Sequence, residues 1–259
     1  MKVELDYVYL YDWVLKEFGI DLDAYKEAQM QRRLASIMRK AGSSNFRDYT
    51  QKIKQDEDIR KEFINQITIN VTEFFRNKEK FDEFQDLLFN HIIPKHRDIK
   101  IWSAACSNGA EPYSVSIMLH KNSYTNKARI IASDIDDGIL SKAKDGLYKD
   151  RDIKNIEKTD IKKFFNLIDD DYEIKEDVKR LVSFKKHDLI LDKYDADYHA
   201  IICRNVTIYF KNEIRNEIYR KFHQALVPGG IFFIGATEGI YNPAEFGFRK
   251  LASSIYEKI

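Results

Sequence analysis

Apolar positions set a rhythm along the chain, and that rhythm changes once. Over the first seventy residues they recur at helical spacing. Val8, Trp13, Val14, Leu15 and Phe18 mark a first helix, with Gly19 as its stop. Met30, Leu34, Ile37 and Met38 stripe a second helix, expected from about Ala24 to Lys40 with Asp21 or Asp23 as cap and Gly42 as end. Shorter helices are expected around Phe46–Lys54 and Ile59–Gln66, and no proline occurs before Pro94. From about residue 98 the pattern becomes strand, turn, helix. Apolar runs at 99–102, 128–136, 182–189, 199–206 and 231–235 read as strands. Helices are expected over Pro112–His120, Gly138–Lys144 and Lys211–Leu226, and Pro228-Gly229-Gly230 reads as a turn. Such alternation predicts an α/β domain with a parallel sheet, helices on both faces and right-handed crossovers. The charged stretch 149–186 breaks the alternation and reads as an insertion.

Composition narrows the class without changing this picture. The 43 basic and 42 acidic residues leave a net charge of +1, which argues against a general nucleic-acid binder. Cys106 and Cys203 make no disulfide framework and have no metal-ligand spacing, so no metal is expected. No run approaches ~18 uninterrupted apolar residues, and the acidic N-terminus is a poor signal peptide. A cytoplasmic, reduced protein without membrane insertion is expected.

Candidate chemistry begins at the turn after the first strand, Ser103-Ala104-Ala105-Cys106-Ser107-Asn108-Gly109-Ala110-Glu111-Pro112. Its small side chains let a ligand approach the backbone, and Pro112 suits the first turn of a helix. It has neither G-x-G-x-x-G nor a Walker lysine, so a cofactor without phosphates, such as S-adenosylmethionine, fits better than a dinucleotide. An ordinary tight turn remains the alternative, with Cys106 as a small filler rather than a nucleophile. The second strand ends in Ser133-Asp134-Ile135-Asp136. An acid at that place in a doubly wound fold accepts from ribose hydroxyls, whereas Asp136 reads better as a helix cap.

Four motifs in register then make the chain recognisable. Asn70-Val71-Thr72-Glu73-Phe74-Phe75-Arg76, the turn from Trp102 to Ser114, Ala132–Asp136 and Cys203-Arg204-Asn205-Val206-Thr207-Ile208-Tyr209-Phe210 together resemble the CheR family of chemotaxis receptor protein-glutamate O-methyltransferases. The resemblance runs through the helical region, where Tyr25–Leu34 is most similar to members from Bacillus-type bacteria, and ends at Gly235-Ala236-Thr237-Glu238. It implies a Rossmann-like class I methyltransferase sheet over 70–259, with 70–90 as a linker, behind a small all-α substrate-recognition domain over 1–69. It also implies a monomer that methylates glutamates of a methyl-accepting receptor's cytoplasmic domain, with S-adenosylmethionine as donor and S-adenosylhomocysteine as product.

Roles follow from the same resemblance. Asn70, Thr72 and Arg76 belong to the segment that closes over the cofactor, and Ala104 to the close-approach turn. Glu111 lies on the methionine amino side, Asp134 on the ribose, and Asp188-Leu189 on the adenine, where Asn-Leu is commoner. Arg204-Asn205 completes the pocket, and Arg76 with Tyr209 flanks the transferred methyl. On the residues alone, Arg76 reads as a surface arginine and Tyr209 as a strand-end core tyrosine; the resemblance reverses both readings. Ala110 stands where many members carry Glu, leaving Glu111 as the carboxyl there.

The acceptor chemistry suits these side chains. A glutamate of pKa ~4.3 is already a nucleophile at pH 7, so positioning replaces a general base. Arg76 can grip such a carboxylate by charge-assisted bonds. Between Lys26 and Arg47 stand six basic residues and one acidic, Glu27. Arg32 with Arg39, and Arg33 with Lys40, recur at i and i+7, a face that either steers an acidic substrate helix or is simply solvated. The stretch Asn166–Ile174 has no glycine where some relatives carry a Gly-rich, peptide-docking hairpin, so direct receptor recognition is expected.

Overall fold

Short polar side chains set the helix starts of the N-terminal region. Asp6 Oδ1 accepts from Tyr9 N at 2.9 Å and opens α1 (Tyr7–Phe18). Asn45 Oδ1 accepts from Asp48 N at 2.9 Å ahead of α3 (Phe46–Gln55), and Asp56 does the same for Asp58 and Ile59 ahead of α4 (Glu57–Thr68). Each such cap is worth ~1 kcal/mol. Helix α2 (Glu27–Lys40) lacks a side-chain cap and starts three residues later than its pattern predicts. Asp21 caps a separate single turn over Leu22–Ala24. Tyr25 and Lys26 are extended, because their backbone is committed elsewhere: Tyr25 bridges Phe210, and Lys26 N donates to Tyr209 O at 2.8 Å. Leu10, Val14, Leu34, Ile53, Phe63 and Ile67 are fully buried and form the apolar interior of these helices.

The computed structural model describes residues 6–259; residues 1–5, which begin the acidic N-terminal stretch, lie outside the described residues. The chain divides into two units, the first running up to Asn70 and including Tyr209–Arg215, the second made of Val71–Ile208 and Asn216–Ile259. No helix of the described residues is long and apolar enough to cross a membrane.

The second unit opens with α5 (Lys78–Leu87), whose helical path continues to Ile92. Phe81, Phe84, Leu88 and Ile92 are buried in the sheet's core, so most of the expected linker is a packed helix. Its strands are β1 (Ile99–Ala104), β2 (Ala128–Asp134), β6 (Val182–Lys186), β7 (Tyr198–Cys203), β8 (Leu226–Ile234), β9 (Phe248–Ala252) and β10 (Ile255–Lys258), ordered β6-β2-β1-β7-β8-β10-β9. The first five are parallel; β10 runs antiparallel to β8 and to β9. Helices α6 (Ala110–Lys121), α7 (Asp137–Asp145) and α11 (Asn212–Ala225) follow β1, β2 and β7. Period-2 alternation sends Ile101, Ile202 and Phe233 to the core that holds Phe84, with Phe84 and Phe233 stacked at 5.1 Å. Trp102 and Phe232 pack on Phe222 of α11. Helices therefore cover both faces, as the alternation predicts.

Two differences from the sequence pattern have local causes. Pro228-Gly229-Gly230 lies inside β8, with Gly229 at φ 75° beside a register shift in the β7–β8 pairing, so the expected turn is a kink within a strand. The insertion builds β3 (Leu147–Tyr148), α8 (Asp150–Ile153), α9 (Lys158–Phe164), β4 (Phe165–Ile168), β5 (Asp171–Ile174) and α10 (Glu176–Lys179), and it ends before β6. Its sheet order is β3-β5-β4, and β4 and β5 form a hairpin in which Asp169, at φ 52°, takes the left-handed position that a glycine would otherwise fill.

Candidate functional site

The order reverses between β1 and β7, and in such sheets ligands bind beyond the strand ends at that point. The turn after β1 places Ala105, Ser107 and Gly109 in the left-handed region, at φ 62°, 51° and 86°. A side chain at Gly109 would meet Ala143 and Tyr113 at 3.1 Å, a tight approach that adds to the left-handed φ in favouring glycine. Ala105 and Ser107 hold a conformation that costs of order 1 kcal/mol each. Long-range bonds keep them there: Cys106 N donates to Ser133 O and Ser107 N to Asp134 Oδ2, both at 2.8 Å. Cys106 is buried, and burial pushes its thiol well above the usual range, which suits a filler and not a nucleophile.

Asp134 closes β2 and is itself buried. Its Oδ1 accepts from Asp136 N at 3.2 Å, and the Ile135 amide also bonds this carboxyl, so both of its oxygens anchor the turn. Burial pushes its pKa up to about 6, against the stabilising pull of the Ser107 amide. Asp136 caps α7 through Gly138 N and Ile139 N, as its position predicts.

Beside this turn lies a buried ion pair. Ser103 Oγ donates to Glu111 Oε1 at 2.8 Å, and Arg204 Nη1 stands 3.5 Å from Glu111 Oε2. Arg204 Nη2 donates to Arg76 O at 2.6 Å and to Asn77 Oδ1 at 3.2 Å, and its guanidinium lies 4.7 Å from the Phe233 ring centre. Burial raises the Glu111 carboxyl and lowers the Arg204 guanidinium, and each partner opposes the shift of the other. Arg204 Nε, Asn205 Oδ1 and Ser107 Oγ are buried without a hydrogen-bond partner among the described residues. Native proteins leave few such atoms unpaired, and three along one set of strand ends fit the polar groups of a bound ligand.

The other residues singled out from the sequence divide between the two units. In the second unit Ala104 ends β1, Leu189 is buried, and Asp188 Oδ1 accepts from Ile190 N at 2.7 Å, holding its own turn. His187 N donates to Asp134 O at 2.9 Å and so ties this segment to the end of β2. Thr72 is half-buried, and Arg76 Nη1 donates to Val71 O at 3.0 Å. In the first unit Asn70 Nδ2 donates to Thr68 Oγ1 at 3.0 Å. Tyr209 lies there too, with the Arg33 guanidinium 5.6 Å from its ring centre, in a hollow lined also by Lys26, Gln29 and Met30. Arg33 Nη1 also donates to Gln66 O at 3.0 Å, and Lys40 pairs with Glu62 at 2.5 Å. Arg32 and Arg39 are exposed, Arg32 Nε donating to Ala28 O at 3.1 Å. Lys26 and Gln29 were not singled out by sequence, since only the Tyr25–Phe210 bridge reveals their place beside Tyr209.

The sheet order, the switch point and the anchored strand-end acid define a Rossmann-like methyltransferase domain. The family described as "CheR methyltransferase, SAM binding domain" matches residues 70–255, and its companion all-alpha domain matches residues 5–68. A chemotaxis protein methyltransferase of Listeria innocua is 37% identical over 257 residues, covering 99% of this chain and 98% of that protein. One from Escherichia coli is 30% identical over 253 residues, covering 94% and 87%. Among solved structures, a putative O-methyltransferase from Nostoc punctiforme aligns with TM-score 0.38 and 16% identity, over 59% of this chain and 36% of that one, so the chain spans about a third of that protein. The chain belongs to the CheR methyltransferase family and is an S-adenosylmethionine-dependent methyltransferase.

Proposed function

We propose that this enzyme methylates the γ-carboxylates of glutamates on the cytoplasmic helices of a methyl-accepting chemotaxis receptor, and thereby serves receptor adaptation. The observation that carries the reading is the buried Glu111–Arg204 pair set beside the Asp134-anchored turn at the switch point. S-adenosylmethionine supplies a methyl group on a positively charged sulfur. Asp134 accepts from the ribose hydroxyls. Glu111 takes the amino group of the methionine portion, with Arg204 holding that carboxyl in orientation. Ala104 and Ala105 leave room for backbone approach, and Asp188 and Leu189 flank the base. Asn70, Thr72 and Asn205 complete the cofactor's surroundings.

The receptor glutamate arrives ionised, and Arg76 orients its carboxylate. Its present partner, the single carbonyl of Val71, leaves most of its five donors for that task. Tyr209 lines the methyl's path, held by Lys26 through its carbonyl and by Arg33 over its ring. One oxygen of the acceptor forms the new bond as the methyl–sulfur bond breaks, yielding a methyl ester and S-adenosylhomocysteine. Arg32 and Arg39 attract the acidic receptor helix, with Arg33 and Lys40 partly committed within the helical unit. The enzyme works in the cytoplasm as a monomer. Transfer of labelled methyl to receptor cytoplasmic fragments, with release of the label by mild base, tests the reading. Base-stable label, or none, would refute it.

A further inference from the structure

Glu238 stands outside every role assigned so far, yet its carboxyl group is buried and both its oxygens are engaged at the strand ends. Oε2 accepts from Asn205 N at 2.7 Å and from Gly235 N at 2.6 Å. Oε1 accepts from Thr207 Oγ1 at 2.8 Å, and that hydroxyl lies 3.2 Å from the Tyr219 phenol. One side chain thus binds the backbone leaving β7, the backbone leaving β8 and the hydroxyl two residues beyond Asn205. Asn205 itself sits at φ 60°, a conformation that asparagine tolerates but does not hold unaided, and its Oδ1 is buried without a partner among the described residues. Gly235 completes the arrangement by omission. A Cβ there would lie 2.6 Å from Glu238 Oε2 and 2.9 Å from Asn205 N, distances at which something must shift.

We infer that Glu238 is a positioning residue for the transfer reaction: through Asn205 N, Gly235 N and Thr207 it fixes the left-handed turn that aims Arg204 and Asn205 at the cofactor. The inference rests on the reading of Asn205 as a cofactor residue, and the experiment separates the two. Glu238→Ala leaves two buried amide donors unpaired and should weaken S-adenosylhomocysteine binding, measured by calorimetry on the full chain, about tenfold to a hundredfold. Glu238→Gln retains an acceptor for both amides and can donate to Thr207 Oγ1, so it should recover most of that affinity. Gly235→Ala is an independent probe, because it displaces the carboxyl without removing it, and it should lose affinity by a similar factor. It also carries the test should Glu238→Ala fail to fold.

A purely structural role would lower the melting temperature of these variants while leaving the dissociation constant of the folded protein unchanged. That outcome overturns the inference, as does a Gly235→Ala protein with wild-type affinity. Asn205→Ala is the control for the underlying reading. Affinity lost there but kept in Glu238→Ala overturns the inference alone. Wild-type affinity in Asn205→Ala overturns the cofactor role of Asn205, and the inference with it.

Discussion

Arg204 and Arg39 carry the same guanidinium under opposite conditions, and the strand ends and the face of α2 differ accordingly. Arg204 is buried, paired with Glu111, bonded to a carbonyl and flanked by aromatic rings. Its position is fixed before any ligand arrives. Arg39 and Arg32 project into solvent, where water and salt weaken each interaction and the Debye length is ~8 Å at physiological ionic strength. A buried charge is costly and therefore geometrically specific; an exposed one is cheap, mobile and felt at a distance. The first kind suits a small cofactor with one correct pose. The second suits a large charged partner that must be drawn in from a distance.

The sharpest way to break this contrast is to remove one member of the buried pair. Arg204→Ala should destabilise the protein by about 3–5 kcal/mol, because Glu111 is left buried without a counter-charge. Urea unfolding of wild type and variant measures this. A loss below ~1 kcal/mol, typical of a surface pair, would put Arg204 in the same class as Arg39.

Arg76 lies between the extremes, half-buried and lightly held. Arg76→Ala should cut turnover about a hundredfold or more while changing S-adenosylhomocysteine affinity little, as expected of a donor aimed at the acceptor. Near-normal turnover at saturating receptor would end that role.

Asp134 tests the cofactor side with pH. Asp134→Ala should weaken cofactor binding about tenfold to a hundredfold. In the wild type the carboxyl has a pKa of about 6, above its ordinary 3.8, because burial disfavours its charge. The neutral form is thus favoured by folding, and that contribution to stability, present below pH ~4, is lost as pH rises through 6. Cofactor binding runs the other way, since hydroxyl donors favour the ionised form. Affinity should therefore rise between pH 5 and 7 in the wild type and stay flat in Asp134→Ala; parallel profiles would remove Asp134 from the ribose.

The smallest effect is expected on the exposed face. Reversing Arg32 and Arg39 to Glu should raise the receptor KM a few-fold, leave cofactor affinity unchanged and flatten the fall of receptor methylation with salt. Identical receptor kinetics at low salt would mean that this face is only solvated.

Much of the candidate site's local structure was legible because its determinants are local. Small residues from Ser103 to Ala110, Pro112 in the first turn of α6 and an acid closing β2 are signals contained within a few positions. The helical N-terminal region and the strand–helix alternation were legible for the same reason, since hydrophobic period is a local property. Helix α5 had a signal too, Phe81, Phe84, Leu88 and Ile92 at helical spacing, but the short polar helix falls where a linker was expected.

What remained hidden depends on partners distant in sequence. The start of α2 is decided by Tyr25 and Lys26 meeting Phe210 and Tyr209, about 185 residues away. The same bonds put Tyr209 in the helical unit, although its motif belongs to the methyltransferase strands. Pro228-Gly229-Gly230 has every local mark of a turn, yet it is a kink inside β8, because Leu226 before it and Ile231 after it both pair with β7. Glu238, in a loop with no chemistry of its own, gains its role only when Asn205, Thr207 and Gly235 converge on it. Period, capping and small-residue turns are paid out along the backbone and are read one neighbour at a time. Hydrogen bonds and buried charges need a second group at a particular distance, and only the folded chain determines which group that is.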